Sequence, residues 1–218
     1  GWPMVVVNTS TANDPYDYGR SVVAHEFYHA LQAQTGSYAY SARGDFTDGA
    51  WFWEATANWV VSEVFPDDTW HGVFLFGYLL VPERELGSFT YPDGSLEGYH
   101  QYGAFLFPRY LTEHVVDPEV IVQTWKEGTR TGDPLEVLSE LLLEEGEDLA
   151  SLFTDFATRN VVYDYVHGED YEAMVESYAP AFAASDHRLT AVVRGDGDGD
   201  WFAVDPEFAP ARYGYNLV

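Results

Sequence analysis

The sequence predicts an α+β fold that is mostly helical, with short β segments at both ends. Three observations predict it. Apolar residues return at helical spacing through most of residues 18 to 180. Runs rich in β-branched residues bracket that stretch, at 4–8 and again after 188. Of the 218 residues 46% are apolar, enough to bury one sizeable core.

"MVVVN" (4–8) reads as a strand, and the turn-prone "TSTANDP" as the loop after it. From Tyr18 to Thr35 the positions Val22, Val23, Phe27, Ala30 and Leu31 keep helical spacing, and Gly36 supplies a stop. A polar loop leads to a second apolar helix near 50–64, closed by Pro66. Further helices are expected near 70–80, 99–114, 118–127, 134–145, 148–163 and 169–178, with Pro108 kinking or interrupting the one over 99–114. In the last thirty residues "LTAVVR" and "WFAV" flank "GDGDGD" as a hairpin would, and "RYGYNLV" reads as one more strand.

The charge is one-sided: 36 acidic against 10 basic residues, a formal net charge of -26. Phosphate binding needs clustered Lys and Arg, so nucleic acid and anionic lipid are excluded as partners. Such a balance fits either adaptation to high salt or a GC-rich genome. With no cysteine, disulfides and thiolate metal sites are ruled out. The longest apolar run, "VFLFGYLLVP" at 73–82, is about half the roughly 20 residues a spanning helix needs, so no membrane insertion is expected. "GWPMVVVNTS" has no basic start or long apolar stretch of a signal peptide, and the glycine at position 1 suggests a piece of a longer chain.

"VVAHEFYHALQ" (22–32) carries the chemistry. His25 and His29 are four apart on a predicted helix, so both imidazoles leave one face and reach a single zinc ion. Glu26 points roughly 100° away round the helix, suited to take a proton from a water rather than to ligate. With 7 histidines in the chain, chance would produce only about 0.02 such matches. A catalytic zinc needs a third protein ligand and one open position. Glu54 in "WFWEATANW", on the next helix, is the candidate, because a carboxylate among tryptophans must be paired or ligating. Asn58, on the same face as Glu54, is placed to orient a histidine through its other ring nitrogen. Hydrolysis of a peptide also develops an oxyanion that calls for a further donor. Tyr102 and His100 are the candidates, next to Tyr99. His71, His114, His167 and His187 lack a paired spacing and read as ordinary surface or capping histidines.

"HEFYH" followed by "WFWEATANW" resembles the gluzincin branch of zinc metallopeptidases. "HQYGAFLFPRYLTEHV" is similar to a segment of the MXAN_6640-family bacterial metalloproteases and related peptidase MA-like proteins, with Tyr102-Gly103 opening a helix and Tyr110-Leu111 near its end. The resemblance spans roughly residues 4 to 165 and rests on three short motifs. It implies a zincin-like fold, one catalytic zinc on His25, His29 and Glu54, Glu26 as base, and Tyr102 ahead of His100 as oxyanion donor. It implies a metallopeptidase domain over 1–188 and a β-rich segment, or the start of a β domain, over 189–218. It further implies an endopeptidase acting on polypeptide substrates, secreted or extracellular. Alanine (Ala55) stands where the family has a glycine after the third ligand. Zincin domains place a sheet before the metal helix, so "MVVVN" is expected to be its last or edge strand, the rest reduced or upstream.

Two other classes compete with the enzyme. One is a catalytically inactive zincin-like module that binds zinc or a partner, against which the presence of Glu26 speaks. The other is an acidic surface domain whose histidines are incidental. Separately, Asp196, Asp198, Asp200 and Glu207 match calcium-loop positions, but Trp201 stands where that loop requires glycine. A solvated hairpin turn is the better reading there than calcium.

Overall fold

The computed structural model describes residues 5–6, 18–38, 48–66, 74–91, 95–178, 180, 192–194, 202–206 and 209–216. Helices dominate them: α1 (Tyr18–Thr35), α2 (Ala50–Val64), a short α3 (Phe76–Leu79), α4 (Leu96–Gly103), α5 (Leu106–His114), α6 (Glu119–Glu127), α7 (Pro134–Glu144), α8 (Leu149–Val162) and α9 (Gly168–Tyr178). Two short strands, β1 (Val192–Arg194) and β2 (Phe202–Val204), pair antiparallel with Val193 opposite Ala203.

The core is built round α2. Its sequence is apolar on nearly every face, and such a helix is stable only when surrounded. Every residue from Ala50 to Trp59 is buried. Trp125 of α6 stacks on Phe52 at 5.5 Å and meets Trp53 edge-on at 5.1 Å. Burying a ring of that kind stabilises by about 1.5–3 kcal/mol. α1 packs mainly on α2 and more lightly on α6. Ser21, His25 and Gln32 form its buried side, while Phe27 and Leu31 face outward, 56% and 43% exposed.

Local signals account for the rear helices. Asp133 accepts a hydrogen bond from the Leu135 amide at the start of α7, with Pro134 as first helical residue. Asp148 accepts from the Ser151 amide at the start of α8.

Three expectations are corrected. The helix expected over 99–114 is two helices, broken at Ala104 and Phe105. Pro108 does not make the break: it lies in the first turn of α5, where a missing N–H removes no helical bond. Near 70–80 the only helix among the described residues is Phe76–Leu79. Gly77 and Gly103 set how α3 meets α4. A Cβ on Gly77 would come within 2.6 Å of Tyr99 Cβ, and one on Gly103 within 2.5 Å of the Phe74 carbonyl oxygen.

The ends differ most from expectation. Val5 and Val6 are not in a strand, no described strand lies there to pair with them, and the rest of "MVVVN" lies outside the described residues. Of "RYGYNLV", the described residues 212–216 are not a strand either. Tyr213 adopts the left-handed φ of 52°, which ends an extended run. The Ala211 and Tyr215 amides instead donate to the Glu83 and Pro82 carbonyls, lacing this segment to residues 82–86. Tyr213 and Tyr215 pack on Phe153 of α8. "LTAVVR" and "WFAV" do supply the paired strands, whereas the Gly-Asp loop and Glu207, and with them the calcium reading, lie outside the described residues. No helix of the described residues is long and apolar enough to cross a membrane.

Candidate metal centre

α1 and α2 run side by side so that His25, His29 and Glu54 meet. His25 Nε2 lies 3.0 Å from His29 Nε2 and 3.2 Å from Glu54 Oε2. His29 Nε2 lies 3.4 Å from the same oxygen. Four ligands held tetrahedrally at about 2.05 Å from zinc are separated by about 3.3 Å, so the three atoms already have the spacing of a shared ion.

The opposite ring nitrogens decide the tautomers. His25 Nδ1 is 2.8 Å from Asn58 Oδ1, and His29 Nδ1 is 2.6 Å from Gln32 Oε1. Which end of each amide faces the ring is settled by its other bonds. Asn58 Nδ2 donates to the Tyr102 carbonyl, and Gln32 Nε2 donates to the Trp53 carbonyl and to Thr56 Oγ1. Carbonyls only accept, so the amide oxygens must face the imidazoles, and each Nδ1 carries a donated proton. In the neutral ring that directs both Nε2 lone pairs at each other and at a carboxylate. Only a cation relieves such crowding, whether a proton or a metal ion.

The electrostatics show the proton option. Burial alone would lower the His29 pKa, but the Glu54 hydrogen bond and charge, helped by Gln32 and Glu26, raise it overall. Burial alone would raise Glu54, yet bonds to both histidines hold its carboxyl well below the usual range. A buried Glu between two imidazoles is thus an anion, the form that ligates a metal. Donor types, burial and spacing together give His25, His29 and Glu54 what is needed to hold a metal ion.

A cleft of about 400 Å³ opens on this group. Glu26, exposed on α1, lines it beside the histidines. Val22, Phe74, Tyr99 and Tyr102 line it as well. Tyr102 stacks near His25, centroids 6.3 Å apart, and burial first, then the Glu54 and Glu26 charges, push its phenol up so that it stays protonated. His100 is elsewhere: fully buried against Tyr78 at 5.1 Å, it is not among the described residues lining the cleft. Glu63, exposed on α2, pairs with the buried Arg109 at 2.7 Å and ties α2 to α5.

A model for the family described as a family of unknown function, DUF6055, matches residues 2–218. The chain belongs to DUF6055. No curated protein and no solved structure matches this DUF6055 chain.

Two features of the DUF6055 site escaped sequence reasoning. Gln32 sits three residues after His29, a same-face spacing that could have marked it as that ring's partner. Phe74 and Tyr99 reach the cleft through the close α3–α4 approach, which no periodicity encodes.

Proposed function

We propose that this chain is a zinc-dependent endopeptidase with a zincin-like metal site, His25, His29 and Glu54 holding one ion. The observation that carries the reading is the convergence of two Nε2 atoms and a carboxylate oxygen within 3.0–3.4 Å, with both Nδ1 protons committed to amide oxygens. Bound there, zinc supplies Lewis acidity for a carbonyl and lowers the pKa of water to about 7.

The chain's own groups do the rest. Glu26 is exposed in the cleft and does not share the ligand cluster, so its carboxylate takes the proton of the attacking water and passes it to the leaving amine. Tyr102, kept as a phenol, donates a hydrogen bond to the oxyanion that develops on the scissile carbonyl. Asn58 and Gln32 hold the imidazoles in the ligating tautomer. The substrate is a polypeptide, and the site of action suggested by the peptidase resemblance is outside the cytoplasm.

Glu26→Gln is the deciding variant. It should keep stoichiometric zinc by elemental analysis while cleavage of an unfolded protein falls at least about a hundredfold. Zinc in the parent chain with no cleavage of any unfolded substrate would leave an inactive zinc-binding module. No zinc after purification without chelator would end both metal readings.

A further inference from the structure

We propose that Phe74, Tyr99 and Tyr102 form the side-chain selector of the metal centre, admitting neutral or cationic polypeptide segments with an aromatic or long apolar residue beside the metal position. The proposal rests on the hydrolytic reading above and adds its substrate class.

The three rings make one continuous wall. Phe74 stacks on Tyr102 with centroids 5.0 Å apart and planes 29° apart, and leans on Tyr99 at 5.9 Å and 32°. Tyr102 in turn lies 27° from the plane of the His25 ring. The row therefore runs from a ligand ring outward as a stack whose members all line the cleft. An aromatic row favours another ring, edge-to-face or offset, by about 0.5–1.5 kcal/mol per aromatic pair beyond buried area, and a long apolar chain by the area it buries.

The wall is a built feature. Phe74 lies two residues before α3, whereas Tyr99 and Tyr102 belong to α4. Their approach depends on two positions with no room for a side chain, Gly77 against Tyr99 and Gly103 against the Phe74 carbonyl and Tyr78. A cleft of about 400 Å³ is the size of a small-molecule pocket, so it takes side chains rather than a folded surface. Its charged groups include two carboxylates, Glu26 and Glu54, within a chain of net charge -26. With zinc bound the ion offsets those two carboxylates, so it is the field of the strongly acidic chain that repels acidic flanks and draws in basic ones.

Two measurements test the proposal on the zinc-loaded full chain. In the first, lysine-flanked fluorogenic decapeptides vary one central residue among Phe, Leu, Ala and Glu. Phe and Leu peptides should exceed Ala in kcat/KM roughly tenfold or more, with Glu lowest. The second needs no turnover: the Kd of phenylalanine hydroxamate is compared with that of glycine hydroxamate by calorimetry. The aromatic compound should bind roughly tenfold tighter. Phe74→Ala and, independently, Tyr99→Ala should bring the two Kd values toward parity at full zinc occupancy, while Phe74→Tyr keeps the preference. Equal Kd values in the parent chain overturn the selector, whatever the hydrolysis assay shows. Aromatic preference in binding with no peptide cleaved upholds the selector and overturns the hydrolytic reading. Cleavage with no dependence on the central residue overturns the selector and leaves hydrolysis standing.

Discussion

His25 and His100 are both buried histidines, and their surroundings make them opposites. His25 gives its Nδ1 proton to an amide oxygen and turns Nε2 toward a carboxylate and a second imidazole. His100 lies against Tyr78, and neither ring nitrogen has a hydrogen-bond partner of ordinary geometry. Burial first, then the Arg84 charge, pushes its pKa down to about 3, with the Ser88 backbone a weak counterweight. Around His25 the protein concentrates negative charge and acceptors, an environment made for a cation. Around His100 burial and the positive charge of Arg84 outweigh the one backbone contact from Ser88. Residue type alone does not separate the two; what each nitrogen faces does.

The contrast can be broken most strongly at Glu54. Glu54→Ala should cost more zinc affinity than the roughly 10–100-fold lost with an outer hydrogen-bond partner, as read by competition with a chromophoric chelator. Retained affinity would mean that the carboxylate is not a ligand. Next come the amides: Asn58→Ala and Gln32→Ala should each weaken zinc about 10–100-fold, with secondary structure by circular dichroism unchanged. Parent-like affinity in both would show that the imidazoles need no such anchoring.

The smallest effect is expected on the other side of the comparison. The folded His100 pKa is near 3 and its unfolded value near 6.5, so between them the unfolded chain binds more protons. Its contribution to stability is therefore complete above about pH 6.5 and is lost as pH falls toward 3. His100→Leu should remove that slope, up to about 1.4 kcal/mol per pH unit, and move acid unfolding to lower pH without changing zinc affinity. An unchanged slope would contradict the burial account of His100.

The sequence disclosed those parts whose causes are local. Helix starts at Asp133 and Asp148 follow from caps, and the ligand set follows from a four-residue spacing plus one carboxylate in an aromatic helix. What stayed hidden depends on meetings in space. The break at Ala104–Phe105 falls where α4 closes on α3, not at the proline that drew attention. The last segment looked extended because "RYGYNLV" is rich in strand formers, yet Tyr213 turns left-handed to bring the chain back to residues 82–86. His100 stood as the second candidate behind Tyr102, but a two-residue step along one helix turns the two side chains to different sides.

Among the described residues α1 leans chiefly on one neighbour, and it leaves Phe27 and Leu31 exposed, so its hold there is one-sided. Its polar ties to α2 include those of the His25, His29, Gln32 and Tyr28 side chains. An ion held by His25, His29 and Glu54, as proposed, would grip both helices and act as a rivet. By mass action each tenfold rise in free ion above Kd adds about 1.4 kcal/mol to the docked state. On the proposed metal reading, ion supply would set the fraction of molecules in which this helix stays docked and shielded from proteolysis.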